Sequence, residues 1–377
     1  MRMIGARDMS EKLKEEVWDL ERCTGCGLCT AVCNKGVLAF DESVDRHPTT
    51  KEFIRLAGYR TIEIDPCKLC EEPCIEVCPR MVEWKPEALG KVFSLKPKKT
   101  GNVIKDLLLC ALELGAIDRI VATDLDKWSR QPTLRFLGKP EDLKDSPLPV
   151  PLFSAGLNLI NRARRLKRVA VVGPPCWAQG LKRLETSTMG VLEPFQRPKY
   201  LKISYFCYGA FYPEILSTIE RELNVPLWSI SKIEVAGNGS ELMLQTGSGK
   251  ATIPLTELAK FMAKGCARCI DFVGEQADIA IGSVGSEPGS KTAIIKTSMG
   301  EELVTAAVKM NYVELREPIL HAREELRDFI ESKKKRASAV EVDKALLAVI
   351  KSLKKPVVDE EALQKLEKLS RVKKREG

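Results

Sequence analysis

The chain has 377 residues, a net charge of +8, and contains 44% hydrophobic and 30% charged residues. Such a chain is long enough for two or three globular domains. It carries thirteen cysteines but only two histidines, His47 and His321. Because histidine is the commonest acid–base group near neutral pH, this composition disfavours a Ser-His-Asp hydrolase and favours electron transfer.

Several classes of partner and location are also disfavoured. No apolar run approaches the roughly 20 residues that a membrane-spanning helix needs, and the first residues lack the apolar core of a secretory signal. We therefore expect a cytoplasmic protein, with attachment to the periphery of a membrane complex as an alternative. The basic runs at 162–168, 333–336 and 371–375 are not accompanied by an aromatic platform or a recognition helix, so no nucleic-acid partner is expected.

Two cysteine runs dominate the first ninety residues. The first has the spacing C-x2-C-x2-C-x3-C of a bacterial two-cluster ferredoxin, and the second has one extra residue between its second and third cysteines. The members are Cys23, Cys26, Cys29 and Cys33 in the first run and Cys67, Cys70, Cys74 and Cys78 in the second. In a reducing cytosol such patterned cysteines are metal ligands more often than disulfides.

In ferredoxins of this kind the fourth cysteine of each run binds the other cluster. This rule predicts one [4Fe–4S] cluster on Cys23, Cys26, Cys29 and Cys78, and a second on Cys33, Cys67, Cys70 and Cys74. Zinc sites also use Cys-x-x-Cys pairs and are the alternative. Two runs that each contain a triplet and a fourth cysteine favour the clusters.

After a predicted strand at 54–65 and a predicted linker at 84–100, the pattern alternates between helix and strand. It predicts helices over 103–115, 156–168 and 212–224, and strands over 116–124, 169–173, 200–207 and 277–286. Strands separated by helices indicate a parallel or mostly parallel sheet. Residues 230–255 alternate between apolar and polar residues around Gly-containing turns, which predicts antiparallel hairpins.

Five cysteines remain in this larger part. Cys110 falls within an apolar helix and is predicted to be a core residue. Cys176 and Cys207 follow predicted strands, where ligands gather in parallel α/β sheets, and Cys266 and Cys269 form a Cys-x-x-Cys pair. Whether these last four share one site, and whether that site holds a cubane cluster or zinc, is left open by the spacing alone.

Four segments together resemble the coenzyme F420 hydrogenase/dehydrogenase β-subunit family. They are "TGNVIKDLLLCALELGAIDRIVAT" (100–123), "VVGPPCWAQGLKRL" (171–184), "YFCYG" (205–209) and the most specific block, 266–307. The resemblance covers roughly residues 98–315. It implies an oxidoreductase that holds FAD beside a [4Fe–4S] cluster, with Cys176, Cys207, Cys266 and Cys269 as the ligands of that cluster. Three clusters would then be present in all.

The resemblance also implies flavin contacts in three loops, of which the first could offer backbone N–H groups to a pyrophosphate. The predicted flavin-binding residues are Thr100, Gly101, Asn102, Gly173, Pro174, Trp177, Gln179, Gly282, Ser283, Val284 and Gly285. No catalytic residue is assigned.

The predicted fold is a mixed α/β protein in three parts. Residues 1–92 form a ferredoxin-like domain with two [4Fe–4S] clusters, residues 93–320 a domain that binds FAD and the third cluster, and residues 321–377 a helical extension. This extension is expected either to dock on a neighbouring subunit or to pack on its own domain.

The predicted function is hydride exchange between coenzyme F420 and FAD, with single electrons passing through the three clusters to a partner. That partner is a larger redox complex (hydrogenase, formate dehydrogenase, heterodisulfide reductase or respiratory-type subunits) or free ferredoxin. NAD(P)H or ferredoxin in place of F420 is one alternative. A flavin-less electron wire resembling a polyferredoxin, with the α/β domain as a scaffold, is another.

Overall fold

A computed structural model of the protein describes residues 12–36, 38–39, 49–50, 70–85, 88–236 and 239–352. The predicted strand at 54–65 and Cys67 lie outside these residues. In the described residues no helix is both long and apolar enough to cross a membrane.

The strands of the described residues form a two-stranded, a three-stranded and an eight-stranded sheet. They are β1 (Leu38–Ala39), β2 (Thr49–Thr50), β3 (Lys91–Pro97), β4 (Arg119–Leu125), β5 (Pro132–Leu137), β6 (Arg168–Gly173), β7 (Lys199–Tyr205), β8 (Lys232–Val235), β9 (Glu241–Thr246), β10 (Gly249–Pro254), β11 (Ile279–Gly282), β12 (Lys291–Ile295) and β13 (Val313–Arg316).

Helices cover both faces of the large sheet and continue into the C-terminal part. They are α1 (Leu28–Val32), α2 (Pro73–Glu76), α3 (Val103–Glu113), α4 (Pro140–Lys144), α5 (Ile160–Ala163), α6 (Pro175–Thr186), α7 (Glu193–Gln196), α8 (Ile215–Leu223), α9 (Leu255–Leu258), α10 (Lys264–Ala267), α11 (Ser298–Lys309) and α12 (Ala322–Ser352). A π-helical segment spans Lys14–Trp18, and short 3-10 helices span Gly156–Leu159, Gly190–Leu192, Leu227–Ser229 and Ala259–Phe261.

The large sheet has the strand order β13-β3-β12-β11-β7-β6-β4-β5. Its centre, β4, β6, β7 and β11, is parallel, whereas the strands on both sides pair antiparallel. The expectation of a mostly parallel sheet therefore holds only for the centre. The short β4–β5 and β11–β12 connections leave no room for the crossover that a parallel pair needs. The hairpins expected at 230–255 form the separate sheet β10-β9-β8.

Two local predictions from the sequence are wrong. Residues 84–100 were expected to be a linker, but β3 lies inside the large sheet between β12 and β13; its Val92 and Leu95 are buried. The helix expected over 156–168 is reduced to a 3-10 turn and α5. It stops because the backbone N–H groups of Lys167 and Arg168 donate to Asp118 Oδ2 at 3.0 and 2.9 Å, which draws the chain into β6.

The ferredoxin-type segment packs directly on the large sheet. Its Leu28, Val32 and Val77 share one hydrophobic core with Trp177 and Leu181 of α6. Since this core is common to both parts, burial of apolar surface holds the segment against the sheet.

Hydrogen bonds reinforce this contact. The backbone N–H of Leu157 donates to the carbonyl of Cys26 at 3.0 Å, and Arg183 Nε donates to the carbonyl of Glu76 at 2.5 Å. The cysteines of the first run are therefore held at a defined position relative to the α/β part.

The first half of α12 packs on its own domain. Leu326 and Ala337 are buried, and the ring of Phe329 stacks on Phe272 with a centroid distance of 5.5 Å. Of the two arrangements expected for the C-terminal extension, this part of the helix adopts packing on its own chain.

Candidate iron–sulfur and cofactor site

Four cysteines of the α/β part line a single small cavity. Cys176 lies in the first turn of α6, directly after β6, and Cys207 follows β7. Because β6 and β7 are adjacent parallel strands, their carboxyl ends bring these two cysteines to the same edge of the sheet. Cys266 and Cys269 enter from α10 and the residues after it.

Main-chain hydrogen bonds hold the Cys-x-x-Cys segment against the strand ends. The N–H of Ala263 donates to the carbonyl of Ala210 at 2.9 Å, and the N–H of Cys207 donates to the carbonyl of Phe272 at 2.9 Å. The N–H of Ala210 also points to Cys266 Sγ at 3.4 Å. Such N–H···S contacts stabilise a thiolate and are among the features that set the potential of an iron–sulfur cluster.

The donor set around this cavity fits a [4Fe–4S] cluster. Four cysteine thiols are the usual ligands of a cubane, and the four cysteines that line this cavity supply that donor set.

Two cations lie beside the cavity. Burial raises the pKa of the Cys269 thiol, but the Lys333 ammonium and the Arg80 guanidinium outweigh burial and leave that pKa below its ordinary value. Burial raises the pKa of Cys207 to about 12, although Lys333 opposes the increase. The positive charges thus favour the thiolate form that a metal ligand needs.

The crossover rule assigns Cys23, Cys26, Cys29 and Cys78 to a first set and Cys33, Cys67, Cys70 and Cys74 to a second set, and this assignment stays a prediction. The charges of Cys23, Cys26 and Cys78 act on Cys29, and so does the charge of Cys74 from the second set. Burial raises the pKa of Cys26 to about 12.

The other set lies nearer the surface. Cys33, Cys70 and Cys74 are partly exposed, and Cys70 Sγ contacts Asn34 Oδ1 at 3.4 Å. Their predicted fourth partner, Cys67, lies outside the described residues.

The first set is adjacent to the cavity of the α/β part. Thr24, between Cys23 and Cys26, lines that cavity, and the Cys26 charge contributes, after burial, to the raised pKa of Cys176. At Gly265 a Cβ atom would lie 2.1 Å from the carbonyl oxygen of Cys23. The backbone of α10 and the first cysteine run therefore approach as closely as glycine allows.

A series of hydrogen-bonded side chains crosses the contact between the ferredoxin-type segment and the α/β part. Arg80, two residues after Cys78, donates to the side-chain oxygen of Gln179, and Gln179 Nε2 donates to Asp271 Oδ2 at 3.0 Å. Asp271 in turn accepts from the N–H of Gly274 at 2.8 Å. Burial raises the pKa of the Asp271 carboxyl, and Lys333 opposes this shift. These hydrogen bonds connect the ferredoxin-type segment with the residues that follow Cys269.

A larger pocket adjoins the cysteine cavity at Cys207, which lines both spaces. Aromatic side chains form part of the wall, namely Tyr205, Phe206 and Tyr208, and Asn102 lies at its edge. A predominantly apolar pocket with a few polar groups is typical of a small-molecule or cofactor site.

Three charged side chains of this pocket form an ion-pair group. Lys232 Nζ lies 2.8 Å and Lys291 Nζ 3.4 Å from Glu234 Oε2, and Lys291 Nζ donates to Ser283 Oγ at 2.5 Å. Burial lowers the pKa of Lys291 despite the Glu234 charge. Two lysines against one carboxylate give the pocket a net positive charge.

The predicted flavin-binding residues divide among the two spaces and the surrounding structure. Asn102, Gly282 and Ser283 line the larger pocket, whereas Pro174 and Trp177 line the cysteine cavity. Asn102 Oδ1 also caps α3 by accepting from the N–H groups of Ile104 and Lys105 at 3.0 and 3.2 Å. The space next to Gly282 is filled by Phe206, whose ring a Cβ atom there would meet at 1.9 Å.

The other predicted flavin-binding residues lie outside the linings of these two spaces. Thr100 Oγ1 donates to the buried Asp106 at 2.6 Å, and Gly101 faces open space. Gly173 packs against the Trp177 ring. Val284 is buried in an apolar cluster, and the N–H of Gly285 donates to Glu325 Oε2 at 3.1 Å.

Several site residues were missed from the sequence. Arg80 lies two residues after Cys78, and Asp271 lies two residues after Cys269. Their nearness in the sequence to predicted cluster ligands could have indicated that they belong to the site. Lys291 and Lys333 carried no signal. Lys333 belongs to a basic run that is typical of a solvent-exposed helix face, and its burial depends on how α12 packs.

These features define the class of protein. A ferredoxin-type cysteine segment, a four-cysteine cavity and an adjoining, predominantly apolar pocket are typical of an iron–sulfur oxidoreductase. Residues 22–82 match the 4Fe–4S dicluster domain model. Residues 166–320 match the model for the C-terminal part of the β-subunit of coenzyme F420 hydrogenase/dehydrogenase. The chain belongs to the coenzyme F420 hydrogenase/dehydrogenase β-subunit family.

Individual relatives support this assignment. The β-subunit of the coenzyme F420 hydrogenase of Methanosarcina barkeri is 30% identical over 57% of this chain and 74% of its own length. An uncharacterised protein of Methanocaldococcus jannaschii is 29% identical over 86% of this chain and 97% of its own length. The coenzyme F420-dependent sulfite reductase of the same organism is 29% identical over 82% of this chain, which spans 49% of that relative.

A solved structure has the same fold. A chain of the F420-reducing [NiFe] hydrogenase complex from Methanosarcina barkeri superposes with a TM-score of 0.61 at 24% identity, covering 68% of this chain and 94% of that one. The mixed α/β architecture is therefore common to both proteins.

Proposed function

We propose that the protein exchanges a hydride with coenzyme F420 at the larger pocket and passes electrons, one at a time, through three [4Fe–4S] clusters to a partner redox protein. The observation that carries this proposal is the position of Cys207, which lines both the larger pocket and the cysteine cavity. Thr24 of the ferredoxin-type segment also lines the cysteine cavity. The cavity therefore borders both the larger pocket and the ferredoxin-type segment, which supports an electron path through all three.

FAD is the proposed occupant of the larger pocket, because the family resemblance implies this flavin and the pocket combines an aromatic wall with a few polar groups. A flavin exchanges two electrons as a hydride and also transfers single electrons, which is what an iron–sulfur cluster accepts. We assign two roles to the residues that line the larger pocket. The aromatic wall excludes water, and the net positive charge of Lys232, Lys291 and Glu234 favours an anionic or oxygen-rich ligand.

The donor is tested with anaerobically purified protein, F420H2, NADH and NADPH as donors and a viologen dye as acceptor. We expect dye reduction with F420H2. If NADH or NADPH reduces the dye and F420H2 does not, the nicotinamide is the donor in place of F420. The proposed electron path is then unchanged. Mass spectrometry of the released cofactor tests FAD against FMN. A protein with full iron content but no flavin would contradict the proposal and favour a simple electron wire.

We further propose that the protein works as a subunit of a larger redox assembly, because the ferredoxin-type segment offers electrons an exit toward another protein. The sulfite reductase relative and the hydrogenase relative are compatible with such an arrangement. Native purification tests it. A lone monomer that is fully active with its physiological acceptor would contradict this part of the proposal.

Replacing Lys291 with methionine is expected to weaken flavin retention about tenfold or more, since a hydrogen bond to a charged group contributes roughly 1.5–3 kcal/mol. Glu234 keeps Lys232 as its partner at 2.8 Å, so no carboxylate is left unpaired. The measurement is the flavin-to-protein ratio after anaerobic gel filtration at several dilutions. The exposed Lys309 of α11 provides the matched control, Lys309→Met. Equal retention in both variants would show that Lys291 does not contact the cofactor.

A further inference from the structure

The C-terminal helix α12 reaches the cysteine cavity, although it begins after the family match at 166–320 ends. Lys333 of this helix lines the cavity together with the four cysteines. Only 5% of its surface is exposed. Its Nζ donates to the carbonyl of Cys207 at 2.5 Å and to the carbonyl of Asp271 at 2.6 Å. A lysine is almost never buried in this way without a specific partner or role.

The position of this lysine is fixed by its neighbours on the helix. Arg336 Nη2, one turn further on, donates to the carbonyls of Tyr208 and Cys266 at 2.8 and 3.2 Å. Ala337 is 3% exposed, and Phe329 stacks on Phe272. Packing on both sides of Lys333 therefore holds its ammonium group at the cavity wall.

The charge of this group faces the cavity. Both acceptors of its hydrogen bonds are main-chain carbonyls, which carry no formal charge. Asp271 also lines the cavity and the charge of its carboxyl acts on the ammonium, as do the charges of Cys269 and Cys207. The ammonium is therefore a buried positive charge close to the cysteine ligands. Electrostatic effects of this kind are large in a site that excludes water.

We propose that Lys333 sets the reduction potential of the cluster held by Cys176, Cys207, Cys266 and Cys269, which makes α12 a part of that site. The inference rests on the proposed function, because it requires the third cluster. Adding an electron increases the negative charge of a cluster, and a nearby buried cation stabilises the reduced form. Lys333 acts through charge and position and does not bind iron itself.

The same lysine also joins two ligand-bearing segments, since it bonds to Cys207 and to Asp271. A purely structural role would explain its burial equally well, but such a role would not depend on charge. The experiment must therefore measure the potential itself.

The test is an anaerobic redox titration of the whole protein, followed by electron paramagnetic resonance, with Cys266→Ser used to identify the signal of the third cluster. In Lys333→Met we expect the equilibrium constant for reducing this cluster to fall about tenfold, which is a decrease of about 59 mV for one electron. Lys333→Arg keeps the charge and should retain most of the original potential. The exposed Lys335 on the same helix gives the control Lys335→Met, for which we expect no change.

Iron content separates the possible results. A full iron content with an unchanged midpoint in Lys333→Met would overturn the inference. Loss of the third cluster in Lys333→Met and also in Lys333→Arg would assign the lysine a structural role and likewise overturn it. If Lys333→Met alone fails to assemble, Lys333→Gln provides a neutral variant that still donates hydrogen bonds, and the same decrease is expected. Wild-type protein with about eight iron atoms, the content of two [4Fe–4S] clusters, would instead contradict the proposed function.

Discussion

Replacing Cys266 with serine is expected to lower the iron content from about twelve to about eight atoms per chain, because each [4Fe–4S] cluster needs four thiolate ligands. The two ferredoxin-type clusters are held by other cysteines and should remain. Donor should still reduce the flavin of this variant, whereas electrons should pass onward poorly. Iron analysis and the anaerobic dye assay measure the two effects.

The matched control is Cys110→Ser. Cys110 is fully buried in the apolar core, with its Sγ 3.8 Å from Met310 Sδ, and lies in α3 rather than at the cavity. This variant should keep about twelve iron atoms, since none of the predicted ligand sets includes Cys110. Full iron content in Cys266→Ser, or zinc at this position in the wild-type protein, would refute the four-cysteine assignment.

Replacing Gly265 with alanine is expected to separate the ferredoxin-type segment from the α/β part. The added Cβ would lie 2.1 Å from the carbonyl oxygen of Cys23 and 2.7 Å from that of Arg22. Both are backbone atoms, so a side-chain rotation cannot relieve the overlap. Overpacking of this kind costs about 1–3 kcal/mol or more, and the two backbones must move apart.

The consequence should be a specific defect in electron transfer. The proposed third cluster and flavin are assigned to residues of the α/β part, so iron content and flavin reduction should change little. The donor should reduce the ferredoxin-type clusters of this variant more slowly than those of the wild-type protein. Rapid freeze-quench spectroscopy measures this rate. Gly190→Ala is the control, because a Cβ there meets no atom within 4 Å. Equal rates in the two variants would contradict a direct path between Cys23 and Cys266.

The proposed electron path implies an order of the clusters from the interior to the surface. In the first ferredoxin-type set, which adjoins the cysteine cavity, Cys26, Cys29 and Cys78 are buried and Cys23 is partly exposed, whereas Cys33, Cys70 and Cys74 are all partly exposed. If the proposed clusters are present, the second ferredoxin-type cluster is the one nearest the surface and the natural contact for a partner. Arg80, whose charge acts on Cys78 and on Cys176 and Cys269, stands between the buried sites.

Part of this description could be predicted from the sequence. Short-range cysteine spacing indicated the ferredoxin-type segment, because loops of fixed length place three thiols around one cluster whatever surrounds them. Hydrophobic periodicity likewise predicted α3, β6 and β7 within a few residues. The antiparallel outer strands were less accessible, since β3 is flanked by prolines and lysines that are typical of a linker. Its burial depends on β12 and β13, about two hundred residues away in the chain.

Local features could therefore be read from the amino-acid pattern, namely the cysteine runs, the alternating helices and strands, and the short blocks that carry the family resemblance. Which distant groups share a site depends instead on tertiary packing. It brings Cys176 and Cys207 together with the pair at 266–269 because adjacent parallel strands end at one edge of the sheet. It also buries Lys333, which belongs to a basic run like any other, because the packing of Phe329 and Ala337 turns that face of α12 toward the cavity.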